Sequence, residues 1–232
     1  MASSHKARKV LAYIGMPALF CALGYVLLFL ALQPVYAPVR AWAGLLIADQ
    51  APSFDDSLKS IYDPEAEKIQ PQEANYIDSR DIEFPMSGTQ YAQVICEEIG
   101  LDAPVYWHDS DEILMYGVGQ MIASMPPGFG SAIVLSGHNN TFFTCLQYAA
   151  VGNVIKIKTN YCDYEYKVTK VQVYPEKELG NIIGDAVRNE NKEELIMYTC
   201  YPFHVITGRK TQRLTVFADR ISGTDVKWKV EE

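Results

Sequence analysis

Short segments with a strand-like pattern follow one another from Gly88 almost to the end of the chain, and they constrain the fold more than any other feature. In residues 155–158 apolar and charged residues alternate, as in a strand with one buried and one solvated face. Residues 132–135 are continuously apolar, and 195–199 begin with an apolar run, as in strands buried on both faces. Seven or eight such strands predict a mainly β domain that closes, or nearly closes, into a barrel.

The other strand candidates are residues 91–95, 103–107, 164–168, 171–173 and 213–218. Alternation runs through residues 164–173, but its phase shifts by one residue at Thr169-Lys170, which predicts a β-bulge. One short helix is expected at 113–116, after the capping residues 109–112, and a second at 142–149. The predicted domain is therefore β-rich, with one or two short helices.

The first forty residues have a different pattern. Lys6, Arg8 and Lys9 precede an uncharged stretch of 23 residues, 10–32. A helix of this length spans the hydrocarbon core of a bilayer, and the preceding basic residues predict a cytoplasmic N-terminus, with the rest of the chain outside. A cleaved signal peptide is the alternative. The stretch is long for a signal peptide, however, and no small-x-small site follows before Gln33-Pro34.

This pattern divides the chain into a cytoplasmic tail (1–9), a transmembrane anchor (10–32), an extracellular stalk or linker (33–87) and a catalytic β-barrel domain (88–232). The stalk is acidic and polar, contains several prolines, and could form one short amphipathic helix around 54–62. We expect it to be a spacer that lifts the domain off the membrane. A lid over the functional site, within residues 52–73, is the alternative, and Asp63-Pro64 is the only sequence feature that suggests it.

Composition excludes several classes of protein and site. Hydrophobic residues make up 49% of the chain, which excludes global disorder. The net charge is −8, and no basic cluster occurs beyond the extreme N-terminus, so nucleic acid is not an expected partner. The five cysteines have no CxxC or zinc-finger spacing, so we expect neither a metal nor another cofactor. We also expect no disulfide among Cys96, Cys145 and Cys162.

Three residues at strand ends have the chemistry of thiol acyl transfer. Cys200 ends the strand at 195–199, His138 follows the strand at 132–135, and Arg213 begins the last strand. A thiolate can attack a carbonyl, an imidazole can transfer protons, and a guanidinium can stabilise an oxyanion. We therefore predict that these three residues are catalytic. The alternatives are a buried structural cysteine and an arginine in a surface ion pair.

Other histidines and arginines fit these roles less well. His5 is in the predicted cytoplasmic tail, His108 is in a polar loop, and His204 is in a loop four residues after Cys200. Arg209 is in a glycine-containing loop, and Arg220 is at the far end of the last strand. His138 and Arg213 are preferred because each lies at the end of a predicted strand.

Together these features resemble those of a sortase, a cysteine transpeptidase of Gram-positive cell surfaces. The resemblance covers residues 88–222 and follows an N-terminal anchor. Pro127-Gly128-Phe129-Gly130 precedes an apolar strand and Ser136-Gly137-His138, and Thr199-Cys200 precedes the strand of Arg213. The separation of 62 positions between the histidine and the cysteine is typical of the family.

The class of sortase is suggested by two longer runs. The sequences Gly-His-Asn-Asn-Thr-Phe-Phe from residue 137 and Thr-Cys-Tyr-Pro-Phe from residue 199 resemble class D more than class A or B. No second anchor at the C-terminus and no convincing lid motif are found, which is unlike a pilin-polymerising class C enzyme. The resemblance implies a closed eight-stranded sortase-type barrel. It also implies that a loop at 174–191 covers part of the substrate groove and sets specificity.

The resemblance also implies a reaction. Cys200 would attack the Thr–Gly bond of an LPxTG-like sorting signal, His138 would protonate the departing amine, and Arg213 would stabilise the oxyanion. We expect Ser136 and Thr199 to contact the substrate. The implied partners are surface proteins with a C-terminal LPxTG-like signal, the amine of a peptidoglycan precursor, and the membrane.

Other functions fit less well. In an L,D-transpeptidase an arginine usually stands two residues after the nucleophile, where this chain has Pro202. In a papain-like hydrolase the cysteine opens a long helix early in the domain. The non-enzymatic alternative is a membrane-tethered β-barrel binding module in which Cys200 is structural.

Overall fold

The computed structural model describes residues 13, 15–28, 56–63, 68, 76–189, 192–205 and 208–228. The chain divides into two compact units, Met1–Ile47 and Ala48–Glu232. In the first unit, residues 15–28 are helical and their side chains are exposed. Among the residues described, no helix has both the length and the apolar character that a membrane crossing requires. The predicted tail and parts of the predicted anchor at 10–32 lie outside the described residues, so the anchor remains a prediction.

The second unit contains a closed eight-stranded barrel, as the sequence predicts. Its strands follow the order β2-β3-β4-β5-β8-β9-β7-β6. Their bounds are β2 Gln90–Cys96, β3 Leu101–Trp107, β4 Val118–Gln120, β5 Ile133–Gly137, β6 Val154–Thr159, β7 Asp163–Pro175, β8 Glu194–Tyr201 and β9 Gln212–Ser222. A separate parallel pair joins β1 (Tyr76–Asp78) to β10 (Asp225–Lys227). The sequence prediction did not include β1, β4 or β10, each of which is only three residues long.

Among the described residues of this unit, two α-helices accompany the barrel, α1 (Asp56–Tyr62) and α2 (Glu176–Arg188). Short 3₁₀ helices occur at Ser79–Asp81, Glu97–Ile99, Ile113–Met115 and Thr144–Tyr148. Helix α1 lies within the predicted stalk and contacts β2 and β6, with Leu58 and Ile61 buried. These two strands lie across the barrel from β5 and β8. The other residues of the predicted lid, 52–55, 64–67 and 69–73, lie outside the described residues, so the lid remains a prediction.

Strand β7 shows the predicted bulge, because its register with β9 shifts between Val168 and Lys170. The helices expected at 113–116 and 142–149 are shorter 3₁₀ helices. The expectation of a loop at 174–191 was wrong in part, because α2 occupies most of that segment. Its apolar residues Leu179 and Ile183 are buried against the outside of the barrel, and this burial stabilises the helix.

Strand β8 has one face in the barrel interior and the other beneath α2. Leu195 and Met197 belong to the interior core, whereas Ile196 belongs to a second cluster with Ile183 of α2. Burial on both faces explains why the first half of this strand is continuously apolar. Because side chains alternate along a strand, Cys200 lies on the same outer face as Ile196 and Tyr198.

Candidate active site

The turn that carries His138 lies beside the end of the strand that carries Cys200. Strands β5 and β8 are parallel, and their last paired residues are Gly137 and Thr199. His138 and Cys200 each follow this pair by one residue. The buried Thr199 hydroxyl donates a hydrogen bond to the Gly137 carbonyl at 2.7 Å. These contacts bring the histidine turn and the cysteine to the same end of the barrel.

Arg213 lies directly opposite Cys200. The two residues are register partners on the antiparallel strands β8 and β9. Side chains of such partners project from the same face of a sheet, so both lie on the outer face next to α2. The structure therefore places all three predicted catalytic residues, including His138, at adjacent strand ends.

A buried amide connects the histidine turn to the backbone around the cysteine. Asn139 Nδ2 donates to the carbonyl oxygens of Cys200 at 2.7 Å and Pro202 at 3.2 Å. Asn139 Oδ1 accepts a hydrogen bond from Lys210 Nζ at 3.0 Å. Neither Asn139 nor Lys210 was predicted from the sequence, in which the only available signal is that Asn139 adjoins His138.

The Arg213 guanidinium is held by three acceptors. Nη2 donates to Oε1 of Glu176 at 2.9 Å, and Nη1 donates to the carbonyl oxygens of Lys210 and Gln212, each at 2.9 Å. The arginine side chain is 16% exposed, so this ion pair is less solvated than the surface pair considered from the sequence. Glu176 begins α2, and it lies nearby because β7 pairs with β9, with Tyr174 opposite Arg213.

Burial lowers the pKa of His138 and favours the neutral imidazole. The carboxylate of Asp111 raises this pKa in part, and the ammonium of Lys210 lowers it further. One acidic and one basic group, from two different loops, therefore act on the pKa of His138 in opposite directions. Such an environment suits a group that must both donate and accept a proton.

The two predicted substrate-binding residues have different positions. Ser136 pairs with Tyr198 on β8, and its hydroxyl is 3.5 Å from Oδ2 of Asp109. Burial, together with the charge of Asp109, raises the pKa of Tyr198, so its hydroxyl stays protonated as a donor. Thr199 is 1% exposed and its hydroxyl bonds Gly137, so that hydroxyl holds β5 and β8 together.

A groove of about 430 Å³ lies beside these strand ends. Most of its lining is apolar, and it includes one face of α2. The lining residues are Met121, Ala123, Glu176, Leu179, Gly180, Ile183, Gly184, Val187, Arg188, Tyr198 and Arg213. Its charged lining residues are Glu176 and Arg213 near the first turn of α2 and Arg188 at the last residue of that helix, and a mainly apolar concave site with a few charged groups is typical of a ligand-binding site.

The other histidines considered from the sequence lie elsewhere. His204 is exposed, and its Nε2 is 3.3 Å from Oε1 of Gln147. Nδ1 of His108 is 3.0 Å from the Ser87 hydroxyl. All five cysteines are free thiols in this structure. Within the described part of the chain, no three His, Cys, Asp or Glu side chains form a group that could hold a metal ion.

Comparison with known proteins identifies the family. The Sortase domain model matches residues 94–221, which is more than half of the chain and includes all three predicted catalytic residues. Sortase D of Bacillus subtilis (strain 168) is 28% identical over 138 residues, which cover 60% of this chain and 67% of that protein.

Solved structures share the fold. A Sortase D5 transpeptidase of Clostridium perfringens superposes with a TM-score of 0.53 at 21% identity, covering 66% of this chain and 90% of that one. Sortase C from Clostridium perfringens SM101 gives a TM-score of 0.51 at 24% identity, covering 78% of this chain and 96% of that one. The family match and the barrel agree, and the chain belongs to the sortase family of transpeptidases.

Proposed function

We propose that this sortase cleaves an LPxTG-like sorting signal between Thr and Gly and joins the released carboxyl end to an amine of a cell-wall precursor. The observation that carries the proposal is that Cys200 and Arg213 are register partners, and that His138 and Cys200 each follow the last paired residues of β5 and β8 by one position. An apolar groove adjoins this end, and Arg213 is among its lining residues. The groove supports an extended peptide as the substrate.

The first half of the proposed reaction forms a thioester. The Cys200 thiolate attacks the threonine carbonyl carbon, and the carbonyl electron pair moves to oxygen. Arg213 donates a hydrogen bond to that oxyanion. The tetrahedral intermediate then collapses, the C–N bond to glycine breaks, and protonated His138 gives its proton to the leaving amine. The product is a thioacyl-enzyme linked through Cys200 Sγ.

The second half transfers the acyl group to the acceptor. The amine attacks the thioester carbon, and neutral His138 takes the proton that the amine loses. The C–S bond breaks, which releases the Cys200 thiolate and the new amide. Burial of His138 supports this step, because it favours the neutral imidazole that must accept the proton.

We further propose that the protein is a single-pass membrane protein with a cytoplasmic N-terminus and an extracellular catalytic domain. Two features of the first unit support this proposal: the uncharged stretch at 10–32 with basic residues before it, and the exposed apolar side chains of helical residues 15–28. The partners would be surface proteins with an LPxTG-like signal and a peptidoglycan precursor with a free amine.

Substitution of the nucleophile tests the reaction. Cys200→Ala is expected to abolish cleavage of a fluorogenic LPxTG peptide. Cys162→Ala is the control, because Cys162 is also a half-buried, free cysteine but lies before β7, away from the strand ends of the site. Cleavage by the Cys200→Ala variant would show that the mechanism is wrong.

Alkylation distinguishes the enzyme from a binding module. Iodoacetamide or a vinyl-sulfone probe at pH 8 is expected to label Cys200 in the folded protein, as measured by peptide mass spectrometry. Cys96 is an internal control, because it is 1% exposed and burial raises the pKa of its thiol to about 12. A folded protein in which Cys200 resists the probe as Cys96 does would support a structural cysteine.

A further inference from the structure

We propose that Lys210 is a positioning residue that joins the histidine turn to the ends of β8 and β9. This proposal rests on the proposed function, because it assigns Lys210 a role in the same reaction. Lys210 lies in the connection between β8 and β9 and is half-buried. A lysine in a loop is by default solvated, but this residue makes contacts through both its side chain and its backbone.

The side chain of Lys210 fixes the orientation of the Asn139 amide. An ammonium group can only donate hydrogen bonds, so its partner at 3.0 Å must be the amide oxygen, Oδ1. The amide nitrogen then points the other way, where it donates to the carbonyl oxygens of Cys200 and Pro202. The two carbonyl oxygens and the lysine favour the same amide orientation, and the lysine adds the contact that ties the loop after β8 to this amide.

The backbone of Lys210 holds the arginine. Its carbonyl oxygen accepts a hydrogen bond from Arg213 Nη1 at 2.9 Å. The other terminal nitrogen of the guanidinium, Nη2, donates a hydrogen bond to Oε1 of Glu176. One residue thus contacts both the amide that follows His138 and the guanidinium opposite Cys200. A shift of the loop that contains it would move both groups at once.

The charge of Lys210 also acts on His138. The charged groups that act on this histidine are Asp111, from the loop after β3, and Lys210, from the loop after β8. Asp111 raises the pKa of His138 and Lys210 lowers it, in addition to the lowering caused by burial. The lysine therefore favours the neutral imidazole needed by the second half of the reaction.

Two substitutions of Lys210 test the proposal in the full chain. Lys210→Met removes the positive charge and the hydrogen-bond donors but keeps a long, unbranched side chain. Lys210→Arg keeps the charge, the donors and the length. With an LPxTG peptide, Lys210→Met is expected to lower kcat by roughly tenfold to a hundredfold, the size of effect that small misplacements of reacting groups produce. KM should change much less, and Lys210→Arg should recover most of the loss. Lys167→Met, an exposed position on β7, is the control.

Titration of His138 by NMR gives a readout that a merely structural role would not change. The pKa of His138 is expected to rise in Lys210→Met and to stay near the wild-type value in Lys210→Arg. An unchanged pKa in Lys210→Met would overturn the proposal, even if kcat fell, because the loss would then reflect a general loosening of the loop. A wild-type kcat in Lys210→Met would also overturn it.

The proposal can fail separately from the proposed function. If the wild-type protein cleaves no sorting peptide, the proposed function fails, but the NMR titration still tests whether Lys210 acts on His138. Thermal denaturation establishes that each variant is folded. If Lys210→Met does not fold, Asn139→Ser tests the same link, because the shorter side chain cannot reach both Lys210 and Cys200. A wild-type kcat in Asn139→Ser would overturn the proposal.

Discussion

Gly180 offers a substitution that should stabilise the fold and impair the substrate groove at the same time. It lies in α2, it is exposed, and it lines the groove. A Cβ built on Gly180 meets no other atom within 4 Å, so a larger side chain at this position causes no clash within the protein. In Gly180→Leu the new side chain would instead occupy space in the groove.

The two expected effects have different sizes and opposite signs. Replacing glycine by leucine inside a helix gains somewhat less than the roughly 0.8–1 kcal/mol that alanine gains over glycine. For a domain of this size, that gain raises the melting temperature by roughly 1–3 °C. A side chain forced into space that the substrate needs costs about 1–3 kcal/mol of binding, which corresponds to roughly a tenfold to a hundredfold rise in KM.

The assay combines thermal denaturation with steady-state cleavage of an LPxTG peptide. Asn181→Ala is the matched control, because Asn181 is exposed on the same helix but does not line the groove. It should also stabilise the protein through helix propensity, by about half a kcal/mol, with no change in KM. If Gly180→Leu is stabilised and its KM equals that of the wild type, the groove does not bind the substrate and the reasoning fails.

Two further predictions concern stability. The side chain of Glu193 is 4% exposed, and it accepts hydrogen bonds from the backbone of Gly128 and Gly130, from Tyr166 and from Arg220. Glu193→Gln should therefore lose about 2 kcal/mol and melt roughly 4–8 °C lower. The side chain of Glu165 is 39% exposed, so Glu165→Gln should change stability by no more than about 0.5 kcal/mol, and equal melting temperatures for the two variants would refute the prediction. The Thr215 hydroxyl is buried, and no partner for it occurs in the described part of the chain, so Thr215→Val should gain about 1 kcal/mol in thermal denaturation. A loss of stability in that variant would indicate a partner for the hydroxyl.

The strands could be predicted from the sequence because their pattern has a period of two residues. In β6 the alternation of Ile155 and Ile157 with lysines matches the observed burial. The bulge in β7 could be predicted for the same reason, since one extra residue reverses the phase of the alternation. Strands of three residues, such as β4, are too short to show a period, and β1 and β10 were missed on the same grounds.

Helix α2 could not be predicted because its sequence weakens the helical signal. Gly180 and Gly184 lie within it, and each glycine lowers helix propensity. The helix forms because Leu179 and Ile183 are buried against the outer face of the barrel. That burial depends on how β8 and β9 are placed, which is information that a local pattern does not contain.

The same distinction applies to the candidate site, where some residues can be predicted from local sequence and others only from tertiary contacts. Cys200, His138 and Arg213 could be nominated one by one, because thiol, imidazole and guanidinium chemistry is a property of the side chain itself. Asn139 and Lys210 could not, because an amide and a loop lysine acquire a role only through their partners, and those partners lie 61 to 71 positions away in the sequence. Pairing of β5 with β8 and of β8 with β9 supplies that proximity. Rates measured only for variants of the three predicted catalytic residues would therefore leave untested the hydrogen bonds that surround those residues.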